Sequence, residues 1–404
     1  MRSIVNSLAI VALGCILLAA PSRGEVQGAA GDKGAVARRD SGPVVKLRSL
    51  YASNPEFKRT MEAAFASLQD PPDGTKNPWR GKGFDDLCAF FNDWYSLLPV
   101  NNSPDSDEFV YITRFSWFYY RNRPAQVIVG QEPGLGWTRE FVTARGRFMD
   151  SSGSVATIPQ WLADPAIQID QYIVPEEGFQ TFNQFFFRSL KPGTRSIAGA
   201  TDDAVLVAPT DCVLNMIEPL TPQTRIKTKL NQALNVRELL NGSEYARFFE
   251  NGSAMSCILL PATYHHYHAV VSGDVVESHD DVAGSYWGTP DFPVFINGGN
   301  IGYGSSYSVF EQFRRGYLVI KTRDFGHVAM VPVGLDTIGS VVFEDRFRNV
   351  GPGKRVAINK GDRIGHFAYG GSLVILLFEK DVVSGIKVPQ GEQIGIMNRK
   401  PPAR

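Results

Sequence analysis

The sequence predicts an α+β protein, with a helical N-terminal domain followed by a β-rich domain. Three observations predict it. Between about residues 46 and 175, apolar side chains recur at helical spacing. From about residue 200 onward, short β-branched runs alternate with glycine-bearing turns. The length, 404 residues, and the composition, 43% hydrophobic and 20% charged, suit more than one folded unit and not a disordered chain.

The chain opens on what reads as an export signal over residues 1–24. Arg2 supplies a positive start, residues 8–20 (LAIVALGCILLAA) an apolar run, and Ala20-Pro21-Ser22 a small-x-small cleavage pattern. The run is shorter than the roughly 20 residues that span a bilayer. A cleaved signal is therefore the expectation, with an uncleaved membrane anchor as the alternative. Either places the protein outside the cytoplasm, periplasmic or secreted, with access to a membrane surface. Residues 25–45 are rich in Gly and Ala with mixed charge and read as a linker.

The helical domain is expected over 46–175. Phe57, Met61, Ala64, Phe65 and Leu68 follow the turn-like Ser53-Asn54-Pro55. Phe84, Leu87, Cys88, Phe91 and Trp94 make a second stripe, and residues 109–120 are dense in aromatics. These rings read as a packed helical core and not as a cofactor box. In the second domain, 176–404, the strand-like runs are AVLVAP, SCILLPA, HAVVSGDVVES, GYLVIKT, GHVAMVPVG, GSVVF and SLVILLFE.

Lys plus Arg and Asp plus Glu both number 41, so the chain lacks the basic excess of a nucleic-acid binder. Of four cysteines, Cys15 lies in the signal, and Cys88, Cys212 and Cys257 are scattered. No disulfide framework or CxxC metal site is expected.

Three places could carry chemistry. His265, His266 and His268 lie together in PATYHHYHAVVSG. In a strand, His266 and His268 share a face and His265 points away. A packed or surface cluster, a metal site and general acid/base work all compete for them. A metal site wants a nearby carboxylate and another His on a later strand. Glu277 and His279 are badly spaced for that, so no metal ligands are assigned. The second place is Tyr369-Gly370-Gly371-Ser372, which runs into an apolar strand. It is neither a nucleophile elbow nor a phosphate loop. Gly before Ser leaves the preceding carbonyl open to attack by the hydroxyl, and tolerates a strained backbone. The third is Asp211 in Ala208-Pro209-Thr210-Asp211-Cys212, by default a turn residue.

Taken in order, these segments resemble the phosphatidylserine decarboxylase family. FNQFFFRSLKPGTR at 182–195 resembles the family's F-N-x-F-F-x-R-x-L-K-P-G-x-R, and APTD at 208–211 its S-P-x-D-G. YHHYH at 264–268 resembles Y-H-R-x-H, and Val333-Gly334-Leu335 through Ile338-Gly339-Ser340-Val341 resembles V-G-A-x-x-V-G-S-I. Gly371-Ser372 stands at the G-S of L-G-S-T. The likeness covers roughly 176–380. The N-terminal helical part, with Trp161-Leu162, is similar to the extra segment of a soluble subgroup that includes enzymes acting on free tryptophan.

The resemblance implies a self-processing, pyruvoyl-dependent decarboxylase. Ser372 would attack the Gly371 carbonyl, the chain would part between Gly371 and Ser372, and a covalent pyruvoyl group would be made from Ser372. The resulting β and α chains would stay partnered. Asp211 and His268 are implied as the activators of Ser372, and His265 as the group that positions substrate or moves a proton. Several positions depart from the pattern: Gly370 replaces Leu, Leu373 replaces Thr, and Cys212 replaces Gly. The expected reaction is conversion of phosphatidylserine to phosphatidylethanolamine, in phospholipid biosynthesis. A soluble amino-acid decarboxylase with a small, aromatic substrate is the first alternative. A non-enzymatic metal-binding β protein is the second.

Overall fold

The structure is a computed structural model that describes residues 39–70, 74–100, 108–217, 236–287, 313–335, 341–383 and 385. The stretch read as an export signal, most of that read as a linker, Ile338-Gly339-Ser340 of one family-like motif and residues 386–404 lie outside the described residues. No described helix is long and apolar enough to cross a membrane.

The helical layer comprises α1 (Gly42–Ser53), α2 (Pro55–Ala66), α3 (Phe84–Tyr95), α4 (Glu108–Tyr119), α5 (Arg123–Gly130) and α6 (Gly134–Met149). It starts at Gly42, inside the stretch read as linker. Pro43 presets the first turn, and Val44 and Leu47 are fully buried, which anchors it. The Asn54 side chain caps α2, accepting from the amides of Glu56 and Phe57. Asn122 caps α5 with its oxygen and donates to the carbonyls of Ala64 and Phe118, which fixes three helix ends with one residue. The buried Arg145 of α6 donates to the carbonyls of Trp94 (2.7 Å), Tyr95 and Leu97 at the end of α3. There its charge meets the negative end of that helix.

The aromatic stripes do form one core. Phe91 packs edge-on against Trp137, Phe141 and Phe115, with ring centroids 4.7–5.0 Å apart. Trp287, from the β-rich part, enters the same cluster 5.2 Å from Phe115. Two short helices come next, α7 (Ile158–Leu162) and α8 (Phe182–Phe186). Thr181 caps α8, and Phe182, Phe185 and Phe186 pack on Trp161 and Met149.

The β-rich part contains β1 (Val213–Ile217), α9 (Val236–Leu239), β2 (Ser253–Leu259), β3 (His266–His268), β4 (Gly273–Val282), β5 (Arg315–Lys321) and β6 (His327–Leu335). It continues with β7 (Val341–Phe343), β8 (Val356–Ile358), β9 (Arg363–Phe367) and β10 (Gly371–Phe378). Seven strands form one antiparallel sheet in the order β1-β2-β10-β6-β5-β4-β8, and three form another, β3-β9-β7. Alternation along β10 divides its side chains. Val374, Leu376 and Phe378 fill the core between the two sheets, and Leu373, Ile375 and Leu377 face α9 and the turn at Glu244–Phe249. Two expectations fail locally. AVLVAP at 204–209 is no strand: its backbone makes a bond from Val207 to the carbonyl of Val270, and Pro209 breaks any ladder. HAVVSG breaks after His268, because the chain turns before β4 begins at Gly273.

Phe91→Ala removes the ring at the centre of the helical core. It should lower stability by about 3–5 kcal/mol in urea unfolding, the range for a buried aromatic lost to a cavity. A loss near zero would mean that this core does not hold the helical layer.

Candidate active site

Ser372 begins the clamped part of β10. It pairs with Leu259 of β2 on one side and Gly334 of β6 on the other. By alternation its side chain lies on the inter-sheet face. The residue is 1% exposed, and its Oγ has no hydrogen-bond partner among the described residues. A buried hydroxyl without a partner costs about 1–3 kcal/mol, and the Oγ of Ser256 in β2 is in the same state. Just upstream, Gly370 has φ 142°, a backbone region closed to L side chains. That explains why Gly stands here in place of the Leu of the pattern.

The segment before Ser372 is held by its neighbours. The Tyr369 amide donates to Asn183 Oδ1 (2.9 Å), and its ring packs edge-on against Phe182 and Phe186. Arg145 of the helical layer lies over the same ring at 5.7 Å. His265 joins this neighbourhood. It stacks on Phe186 at 3.8 Å, and its carbonyl accepts from the Phe367 amide. Its Nδ1 donates to the Thr263 carbonyl (2.8 Å), which fixes the tautomer and leaves Nε2 as the basic atom. Burial holds its pKa down at about 3, so the imidazole is neutral at physiological pH.

His266 and His268 turn to the other side of β3, as alternation predicts, and Tyr264 stacks against both. His268 Nδ1 donates to the Gly361 carbonyl (2.8 Å), and its Nε2 accepts from the Tyr264 hydroxyl (2.9 Å). Burial raises the Tyr264 pKa, which keeps that hydroxyl a donor. Asp211 lies close by along the backbone, since the carbonyl of Pro209 accepts from the His268 amide. Its carboxylate, however, pairs with Arg195 at 3.0 Å. The structure therefore brings His265 to the segment entering Ser372, and Asp211 and His268 to one neighbourhood. It forms no hydrogen-bonded Asp211–His268–Ser372 relay. The neighbouring Cys212 side chain and burial raise the pKa of the Cys257 thiol; both cysteines are free of disulfide.

Several functional neighbours escape a motif reading. Tyr264 and Asn183 sit inside the family-like segments, but their partners, Nε2 of His268 and the Tyr369 amide, are visible only in three dimensions. Arg314 and Arg315 are adjacent cations at the start of β5. Arg315 is consumed by the carbonyls of Leu239, Glu238 and Phe313, and Arg314 pairs with Asp281. Among the described residues, no three His, Cys, Asp or Glu side chains are grouped to hold a metal.

Burial also lowers the pKa of His266 to about 3. Between pH 6.5 and 3 the unfolded chain therefore binds protons at His265 and His266 that the folded chain does not. Stability should be full above pH 6.5 and fall on acidification by up to about 1.4 kcal/mol per pH unit per group. Urea midpoints at pH 7.5 and 5 check this. In His266→Gln, whose amide nitrogen can still donate to the Phe187 carbonyl, the drop should shrink. Equal midpoints at both pH values in the wild type would contradict the buried neutral imidazoles.

Comparison with known proteins agrees with this geometry. A family model described as phosphatidylserine decarboxylase matches residues 182–396. Phosphatidylserine decarboxylase proenzyme 2 of Oryza sativa subsp. japonica is 33% identical over 242 residues, 59% of this chain but only 36% of the rice protein. The proenzyme of Fusobacterium nucleatum is 28% identical over 238 residues, covering 59% of this chain and 73% of its own. That of Clostridium kluyveri is 31% identical over 269 residues, 63% of this chain and 84% of its own. None of these names supports a free amino acid as substrate or a metal-binding β protein. The matched region holds α8, both sheets, His265, His268 and the Gly371-Ser372 step, and the chain belongs to the phosphatidylserine decarboxylase family.

Proposed function

We propose that this chain is a self-processing decarboxylase that converts phosphatidylserine to phosphatidylethanolamine. One observation carries the reading: the buried, unpartnered hydroxyl of Ser372, set directly after a Gly-Gly pair at the start of a fully clamped strand. The relatives named phosphatidylserine decarboxylase proenzymes support both the substrate and the processing.

Cleavage follows from that placement. Ser372 Oγ bonds to the Gly371 carbonyl carbon while a base takes its proton, and the amide C–N bond breaks, leaving an ester and a free Ser372 nitrogen. Loss of the Ser372 α-proton then breaks the Cβ–Oγ bond and frees the Gly371 carboxylate. Water displaces the nitrogen as ammonia, leaving a pyruvoyl group at the head of residues 372–404. The site fits that group, because the buried Ser372 hydroxyl from which it would be made has no partner among the described residues to lose. When formed, the group supplies an electron-poor ketone that engages a substrate amine and takes up the electrons left by carbon dioxide.

His268 is the proposed base for cleavage, with Asp211 as its orienting carboxylate. Its Nε2 becomes available when the Tyr264 hydroxyl lets go, and Asp211 when it leaves Arg195. Burial lowers the His268 pKa, so the ring is neutral and ready to accept a proton. His265, neutral and fixed by Thr263, positions the substrate and exchanges a proton through Nε2. Export to a membrane surface, read from residues 1–24, would bring the enzyme to its lipid.

Variants and a substrate comparison test this reading. Ser372→Ala should leave one full-length chain, because no hydroxyl remains to attack. His268→Ala should slow cleavage by about 10²–10⁴-fold, the usual cost of a lost acid/base group, whereas His265→Ala should cleave and then decarboxylate poorly. Equal cleavage defects in the two His variants would overturn their separate roles. For the substrate, carbon dioxide release should be fast from phosphatidylserine in detergent micelles and absent from free serine or tryptophan at matched concentration. The reverse result would replace the lipid with a free amino acid.

A further inference from the structure

A side chain of α8 joins the end of the helical layer to the cleavage segment. Asn183 of α8 is 1% exposed and bridges two parts of the molecule. Its Oδ1 accepts from the Tyr369 amide at 2.9 Å, and its Nδ2 donates to Asp150 Oδ1 at 2.8 Å. Asp150 is the C-cap residue of α6 and lies outside the region that the family model matches.

The orientation of the Asn183 amide is forced. A backbone N–H only donates, so the side-chain oxygen must face Tyr369 and the nitrogen must face Asp150. A carboxylate at Asp150 accepts only, so it rewards that orientation and penalises the flipped one. The flipped amide would set two donors against each other at Tyr369 and two acceptors at Asp150, in a buried place where each lost bond is costly.

The anchor at Tyr369 bears directly on the scissile bond. The next two residues, Gly370 and Gly371, carry no side chains to fix them, and Gly370 holds φ 142°. Their downstream end is set by the pairing of Ser372 with Leu259 and Gly334. Their upstream end is set at Tyr369, by the Asn183 bond, the Phe182 and Phe186 rings, and Arg145 over the ring. Attack by Ser372 Oγ on the Gly371 carbonyl needs the two within a near-attack distance, and small displacements are costly in rate.

We infer that Asn183 is a positioning residue for self-cleavage and that Asp150 of the helical layer sets its orientation. The N-terminal helices thus serve the processing of the β-rich domain. The inference rests on the reading that the chain cleaves between Gly371 and Ser372.

The test uses full-length chain made by cell-free translation. Samples are quenched in denaturant, and the fragment of residues 372–404 is quantified by mass. Asn183→Ala should slow its appearance by roughly tenfold or more. Asn183→Asp keeps an acceptor for Tyr369 but sets two carboxylates together, and should also be slow. Asp150→Asn alone should stay near the wild-type rate, since its amide can turn its oxygen to Asn183. The exchange Asn183→Asp with Asp150→Asn restores a donor–acceptor pair, and should return cleavage to within about threefold of wild type. A defect from simple misfolding would not be repaired by that exchange. Asn183→Asp cleaving as fast as wild type, or an exchanged pair as slow as Asn183→Asp, would overturn the inference while leaving the cleavage reading intact. A wild-type chain that stays whole throughout would take down both.

Discussion

The two-sided clamping of β10 is the constraint on which the rest depends. From Ser372 to Phe378 every residue is paired with β2 on one side and β6 on the other. The strand lies inside the seven-stranded sheet, with apolar cores against both faces. A strand so held cannot shift register without moving buried side chains to the wrong face. Position 372 is therefore fixed in space, and the chain must arrive at it through Gly370 and Gly371. The unpartnered hydroxyl of Ser372 is tolerated because the surrounding ladder and core outweigh its cost of about 1–3 kcal/mol.

Around that fixed point the two sides of β3 carry different chemistry. His265 lies on the side of Phe186 and Tyr369, and His268 on the side of Tyr264, Thr210 and the Asp211–Arg195 pair. The separation follows the alternation of side chains along this segment, with a register shift against β9 between Tyr267 and His268. It gives the two imidazoles, three residues apart, different surroundings, as the separate roles proposed for them require. For Asp211 and His268 to act on Ser372 as proposed, Asp211 and Tyr264 would have to release their present partners, Arg195 and His268.

Much of this was legible in the residues themselves. The helical core followed from apolar spacing, because Phe57, Met61, Phe91 and Trp94 are buried for the reason their pattern suggests. The opposed faces of His265 and His268 followed from alternation. The run at 204–209 misled, because β-branched composition cannot reveal that no neighbouring strand is there to pair with it. Arg315 shows another limit: the sequence does not reveal the three carbonyls that occupy its guanidinium. Asn183 lies within a family-like motif, yet its link to Asp150 and Tyr369 depends on packing between segments distant in sequence. Gly370 looked like a departure from the family pattern until its backbone angle supplied the reason.

The central claim is that Ser372 becomes the reactive group by breaking its own peptide bond. Intact-mass measurement of the purified wild-type protein, before and after reductive amination, tests it most directly. The account predicts a fragment comprising residues 372–404, lighter than its sequence mass because its first residue is a pyruvoyl group. That fragment should shift on reductive amination, while the chain ending at Gly371 should not. A single unreactive chain that is continuous through Gly371 and Ser372 would contradict it.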